Sequence, residues 1–154
     1  MKHEILIKTS RQTVYDCLTD PRKRAAWSPE ISDITYEHDP KKEEALFTQS
    51  QKAGRSTYVF KGKNLVVKEP SIFSYELTLK QMHIVITYEL KEKSAWTAVT
   101  QTYESYQKNR FGRLIGTLAR PLTNKLAKDI LKKLKHAVKH KNFTAFFMIY
   151  KISS

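Results

Sequence analysis

Cysteine is nearly absent from this sequence, which contains one among its 154 residues. A single cysteine excludes an internal disulfide and any metal cluster built on a Cys-x-x-Cys pair, and it fits a reducing compartment. Cys17 stands beside Leu18 and at helical spacing from Val14, with no recognisable His or Asn partner nearby. We therefore predict a buried structural thiol rather than a nucleophile.

Long apolar runs are also absent. The N-terminal segment has only three consecutive apolar residues, and no stretch approaches the roughly 20 that a membrane-spanning helix needs. Hydrophobic residues nevertheless make up 40% of the chain, which is enough for one globular core. We expect a soluble, cytoplasmic protein with a single domain over 1–141 and a separate tail over 142–154.

Glycine is scarce as well, with four residues and no phosphate-binding loop of the GxGxxG or GxxxxGK type, so no cofactor is predicted. None of the five histidines is well placed for catalysis. His136 and His140 have the spacing of metal ligands, but lysines surround them and no third ligand is nearby. We predict no metal site and find no catalytic constellation, which argues against an enzyme without excluding one.

Acidic residues are almost missing from 108–141, which holds eleven Lys or Arg and one Asp and so carries 10 of the 13 net positive charges. A helical wheel gives this segment an apolar face and a basic face. The apolar face consists of Leu118, Leu122, Leu126, Ile130, Leu134 and Ala137. The basic face consists of Lys125, Lys128, Lys132, Lys135 and Lys139. We predict a long amphipathic helix, with a kink or a division at Pro121.

The basic face has two readings. It is either a well-solvated helix surface or a docking surface for an anionic membrane or an acidic protein. We do not expect nucleic acid to be the partner, because the sequence has no RNP-like, zinc-finger or helix-turn-helix pattern.

The segment before this helix begins with one strand and two short helices. Residues 3–8 predict the strand, and Thr9 with Gln12 forms a T-x-x-Q capping box for the first helix. Asp20 and Pro21 predict the start of the second helix, which ends near Ser28. Trp27 lies at that end, either as a lid over the core or as a pocket wall.

From Ile31 to Tyr106 the hydrophobic pattern changes to the alternation of strands. The predicted strands cover 31–38, 44–51, 56–61, 73–80, 82–90 and 95–104, with breaks at Ala53-Gly54 and at Gly62-Lys63-Asn64. Strands at hairpin spacing predict an antiparallel sheet with one covered face. The basic helix is the only later element long enough to cover it, so the fold class is α+β.

These elements resemble the START-like, or Bet v 1-like (SRPBCC), superfamily, and within it the bacterial polyketide cyclase/dehydrase-like proteins. The similarity lies in EILIKTSRQTVYDCLTDPRKRAAW, in VVKEPSIFSYEL and in GRLIGTLARPLTNKLAKDILKKLKH. It implies a helix-grip fold, in which about seven strands curve around the long C-terminal helix and leave a cavity for a small apolar or amphipathic molecule. It implies no catalytic residue, because the superfamily has no invariant catalytic position.

Strand alternation then predicts which side chains line such a cavity. Candidates on the covered face are Tyr75, Tyr88, Gln101 and Tyr103, with Tyr58 if its strand keeps the register, and Trp27 from the second helix. They would face Leu118, Leu122 and Leu126. This lining suits an apolar ligand with hydrogen-bonding ends, although each tyrosine could simply bury its ring. The hypotheses are a binder of a lipid or of a polyketide- or isoprenoid-like ligand, a docking module, or a cyclase- or dehydratase-type enzyme.

The tail has an aromatic pattern of its own. Phe143, Phe146, Phe147 and Tyr150 follow the spacing i, i+3, i+4, i+7. Either the chain breaks near 140–142 and the tail docks on the domain or on a second copy of the chain, or the helix continues. In the second case the aromatic face would lie beside the lysines and face a membrane or a protein groove.

Overall fold

The computed structural model describes residues 2–107 and 128–139. The first part contains seven strands and two helices, and the second is a helix, α3, over 128–139. The elements of the first part are β1 (Lys2–Ile7), α1 (Arg11–Thr19), α2 (Pro21–Trp27), β2 (Ile31–Tyr36), β3 (Leu46–Ala53), β4 (Ser56–Lys68), β5 (Ile72–Leu79), β6 (Met82–Lys93) and β7 (Trp96–Gln107). The predicted part of the long helix before 128, the kink or division predicted at Pro121 and the predicted tail, 142–154, lie outside the described residues.

All seven strands form one antiparallel sheet in the order β1-β7-β6-β5-β4-β3-β2. Strands β2 to β7 are joined as consecutive hairpins, and β1 returns to pair with β7. A register shift between Asn64 and Val66 interrupts the β4–β5 ladder, and such irregularities bend a strand. The predicted helix-grip α+β architecture is therefore confirmed.

The two short helices begin at polar caps. Ser10 caps α1 by accepting a 3.2 Å hydrogen bond from the Thr13 N–H, so the predicted cap at Thr9 was wrong by one residue. The Gln12 side chain donates to Asp16 and to Glu69 instead of returning to the cap. The predicted Asp20–Pro21 start of α2 is confirmed, since the Asp20 carboxylate accepts from the backbone N–H groups of residues 22 and 23.

The break predicted at Gly62-Lys63-Asn64 was also wrong, because β4 runs through all three residues. Gly62 pairs across the ladder with Phe47 of β3, whose ring lies directly against it, and a Cβ at Gly62 would overlap that ring. Glycine is needed here for the close approach of a neighbouring side chain, not for a turn. The break at Ala53-Gly54 is confirmed: β3 ends at Ala53, and Gly54 has a φ of 63° in the turn.

The core lies between one face of the sheet and the three helices. Leu131, Leu134 and Val138 of α3 are fully buried in it, while Ile130 and Ala137 are partly buried at its margin. All three described members of the predicted apolar face, Ile130, Leu134 and Ala137, therefore contact the core, and Leu131 and Val138 extend the buried face beyond the prediction. Burying each such side chain contributes about 1.5–3 kcal/mol. Within the described residues, no helix has the length and apolar character needed to cross a membrane.

Candidate functional site

Three polar side chains lie side by side in the middle of the covered face. Tyr75 of β5, Tyr88 of β6 and Gln101 of β7 are all buried, and Gln101 has 0% exposure. Tyr88 and Gln101 are cross-strand partners, and the Gln101 Nε2 donates a 3.0 Å hydrogen bond to the Tyr88 hydroxyl. The strands therefore align these three side chains, which we call the polar row.

The tyrosines of the polar row remain protonated. Burial raises the pKa of Tyr75 and raises that of Tyr88 well above its usual value, and their hydroxyls also interact with each other. Burial likewise raises the pKa of Tyr103, which is half-buried on the next part of β7. A neutral hydroxyl both donates and accepts a hydrogen bond, so this face offers polar contacts to a partner of either kind.

The polar row has unused hydrogen-bonding capacity. Within the described part of the chain, the Gln101 Oε1 is buried without a hydrogen-bond partner, and so is the Gln49 Oε1 on β3. Gln49 shares its strand face with Phe47, because the two residues are two positions apart. A buried carbonyl oxygen without a partner costs free energy comparable to a lost hydrogen bond. Each of these oxygens is thus suited to accept a bond from a ligand or a water.

Arg24 was missed in the sequence, yet it is the most unusual residue of this face. It lies on α2, is 1% exposed, and sends its guanidinium over aromatic rings of the sheet. The guanidinium carbon lies 4.7 Å from the centroid of the Tyr75 ring, 5.3 Å from that of Phe47 and 5.6 Å from that of Phe73. Arg24 follows the predicted cap and stands three residues before Trp27, so helical spacing was the only signal that it would point inward.

The Nη2 end of the Arg24 guanidinium is joined to a small network of hydrogen bonds. Its Nη2 donates to the Tyr36 hydroxyl at 3.5 Å, and that hydroxyl donates to the Asn64 Oδ1 at 2.8 Å. The Asn64 amide in turn donates to the backbone carbonyls of Pro40 and Lys42 at 2.8 and 3.0 Å. This network ties the β2–β3 connection to β4 and fixes Tyr36 beside the guanidinium.

The structure brings some of the predicted cavity-lining residues together on the covered face of the sheet and leaves others outside it. Tyr75, Tyr88 and Gln101 come together, and Tyr103 lies on the same face. Tyr58 is 45% exposed: it shares its strand face with the buried Phe60 but lies nearer the end of β4, outside the buried part of that face. Leu118, Leu122 and Leu126 lie outside the described residues.

Trp27 is buried at the end of α2. Its indole Nε1 donates to the Cys17 carbonyl oxygen at 2.9 Å, and its ring belongs to the core. Cys17 is itself buried, as predicted. Trp27 also borders an open groove of about 520 Å³ between α2 and α3. The other residues of the groove are Ala26, Pro29, Lys132, Lys133, His136 and Ala137.

Four of the five lysines of the predicted basic face lie on the outer side of α3. Lys128, Lys132 and Lys139 are exposed and Lys135 is half-buried, whereas Lys125 lies outside the described residues. A further lysine, Lys133, forms a 3.3 Å ion pair with Glu30. Burial alone would raise the pKa of Glu30, but hydrogen bonds from Ser28 and the backbone, together with Lys133, lower it overall. Among the described residues, no group of three His, Cys, Asp or Glu could hold a metal ion.

Comparisons with known proteins agree with this architecture. Residues 1–139 match the family described as polyketide cyclase / dehydrase and lipid transport, which confirms the resemblance found in the sequence. No curated protein matches the chain.

Three similar solved structures illustrate the fold. TTHA0849 from Thermus thermophilus is 14% identical with a TM-score of 0.73, over 92% of this chain and 97% of that one. NE0264 from Nitrosomonas europaea is 15% identical with a TM-score of 0.71, over 92% and 95%. Ara h 8.0201 is 10% identical with a TM-score of 0.73, over 91% and 97%. At these identities the likeness concerns the fold alone.

Proposed function

Because the chain belongs to the polyketide cyclase/dehydrase and lipid transport family, we propose that it binds a small apolar or amphipathic molecule between the sheet and the C-terminal helix. A lipid or a polyketide- or isoprenoid-like compound has the required chemistry. The family description supports the general class of ligand. The residues of the covered face support a binding site on that face of the sheet.

The observation that carries the proposal is the polar row. Tyr75, Tyr88 and Gln101 occupy the centre of a face that is mostly apolar, and the Gln101 Oε1 has no partner in the described residues. Apolar side chains would fill a purely structural core at lower cost, because buried polar groups must all be paired to be neutral in free energy. A ligand site, by contrast, needs an apolar lining with a few polar groups that orient the ligand.

Native mass spectrometry of the full chain with dodecanol tests this proposal. We expect a one-to-one complex that is weakened by Gln101→Leu, which keeps the volume of the side chain but removes its polar atoms. Thr102→Val is the matched control, because Thr102 is the next residue of β7 and points to the opposite face. Absence of a complex of the folded wild-type protein with both dodecanol and its carboxylate analogue dodecanoate would refute the proposal.

A second candidate function is docking on an anionic membrane surface through the outer side of α3. The observation that favours it is the group of three exposed lysines and one half-buried lysine on that side. Clustered lysines attract anionic lipids with an energy of about 1 kcal/mol for each residue near the surface. The aromatic tail, 142–154, would add apolar contacts if it enters the lipid headgroup layer.

Liposome sedimentation at low salt distinguishes this candidate from the first. Docking predicts that the protein sediments with anionic vesicles, and that it does so less after Lys128→Gln, Lys132→Gln and Lys139→Gln are combined. A control with the same charge change carries Lys2→Gln, Lys8→Gln and Lys80→Gln, all at exposed lysines that lie outside α3. Equal sedimentation of the two triple variants would contradict docking through α3.

A further inference from the structure

We propose that Arg24 is an anion anchor, so that the ligand of this site is an amphipathic carboxylate rather than a neutral apolar molecule. This inference rests on the proposed function, and it specifies the chemistry of the ligand. The carboxylate would bind the edge of the guanidinium, and the apolar chain would extend along the aromatic face of the sheet.

The first observation is that Arg24 has no carboxylate partner among the described residues. All fifteen Asp and Glu residues of the sequence lie in the part of the chain that the structure describes. The ion pairs within that part are Arg11 with Glu92, Lys63 with Glu76, Lys93 with Glu4 and Lys133 with Glu30, and none includes Arg24. A buried guanidinium is normally paired with an acidic group, because its desolvation is costly. A bound carboxylate would supply the counter-charge that no described residue provides.

The second observation concerns the hydrogen bonds of the guanidinium. An arginine side chain has five N–H donors. Within the described residues, Nη1 and Nη2 make one bond each, at 3.4 Å to the Leu18 carbonyl oxygen and at 3.5 Å to the Tyr36 hydroxyl. Both bonds are long for N–H···O contacts. The buried Nε has no hydrogen-bond partner there. The donor edge is therefore largely unused.

The third observation is that aromatic rings surround the Arg24 guanidinium. Cation–π contacts with Tyr75, Phe47 and Phe73 are electrostatic contacts with ring faces, and they supply no acceptor for the N–H groups. They hold the guanidinium in place and keep water away, but they do not replace in-plane hydrogen bonds. A carboxylate accepts two parallel N–H bonds from one guanidinium, so it supplies both the charge and the acceptors.

A pair of probes with the same chain length tests the inference. Dodecanoate and dodecanol differ only in the head group, and their affinities for the full chain are measured at pH 8 by isothermal titration calorimetry. We expect dodecanoate to bind about ten- to hundredfold more tightly, the range of a charge-assisted hydrogen-bonded pair. Arg24→Met should abolish this preference while still binding dodecanol. Arg22→Met, an exposed arginine of the same helix, should retain the preference.

A second measurement does not depend on the folding of a variant. The side-chain Nε–Hε resonance of Arg24 in the wild-type protein should shift on addition of dodecanoate and remain in place with dodecanol. Equal affinity of the wild type for the two probes, with no dodecanoate-specific shift, would overturn the inference while the proposed function stands. Binding of neither probe would overturn both.

Discussion

Replacing Gly62 by alanine should destabilise the protein by disturbing one aromatic ring. The Phe47 ring covers the space that a Cβ at position 62 would occupy. The same ring stacks on Tyr36 at 4.7 Å and lies beneath the Arg24 guanidinium. An added methyl group must push this ring away, so the substitution should affect both the packing and the neighbourhood of Arg24.

The expected change in the free energy of unfolding is the difference between two opposing contributions. Overpacking a well-packed site costs about 1–3 kcal/mol. Replacing glycine by alanine within a strand recovers about 0.5–1 kcal/mol, because the unfolded chain loses conformational freedom. The free energy of unfolding should therefore fall by about 1–2 kcal/mol, which corresponds to a decrease of about 2–8 °C in Tm for a chain of this size.

Urea denaturation followed by circular dichroism measures this change. A double-mutant cycle with Phe47→Leu identifies its cause, because the smaller side chain leaves room for the methyl group. In the Phe47→Leu background, Gly62→Ala should cost at least about 1 kcal/mol less than in the wild type. Equal costs in the two backgrounds, or a Gly62→Ala variant as stable as the wild type, would refute the reasoning.

Three further changes probe the site and its supports. Asn64→Ala leaves two backbone carbonyls and the Tyr36 hydroxyl without their partner, and should lower the free energy of unfolding in urea by about 3 kcal/mol. Since the pKa of Glu30 is lowered in the folded state, its contribution to stability is present above pH 4.5 and is lost as the pH falls further. The difference in Tm between wild type and Glu30→Gln should thus shrink below that pH, and a constant difference would contradict the assignment. Tyr88→Phe should weaken dodecanol binding in native mass spectrometry, whereas Tyr106→Phe, which removes an exposed hydroxyl, should not.

Much of the fold could be predicted because strands and caps have local signals. The alternation over 73–104 located β5, β6 and β7 closely, since each has one covered and one open face. Asp20 before Pro21 identified the start of α2, because both residues suit a helix N-terminus on their own. These features depend on a few neighbouring residues and need no knowledge of the tertiary structure.

The incorrect predictions concern features that depend on distant residues or on the backbone angles of one residue. Thr9 and Ser10 both have a hydroxyl suited to a cap, and only the backbone conformation selects Ser10. Gly62 resembles a turn residue until the register brings Phe47 opposite it. A cap at Thr9 and a break at Gly62 were both chemically reasonable predictions from the sequence.

Arg24 illustrates the same limit within the site. It stands among basic residues in a short helix, and charged residues of this kind are usually solvated. Its burial depends on Phe47, Phe73 and Tyr75, which lie on two strands more than 20 positions away in the sequence. The polar row could be predicted because strand parity alone places its members on the covered face, whereas Arg24 required the docking of α2 on the sheet.

The side-chain amide of Gln101 provides the most direct test of the central claim, that a small apolar or amphipathic molecule occupies the covered face of the sheet. In a titration of the isotope-labelled full chain with dodecanol, the Gln101 side-chain amide resonances should shift in a saturable manner, together with the backbone amides of Tyr75 and Tyr88. The amide of the exposed Trp96 should remain unchanged. Titrations with dodecanol and with dodecanoate that both leave all the resonances of the polar row in place, up to the solubility limit of each probe, would contradict the account.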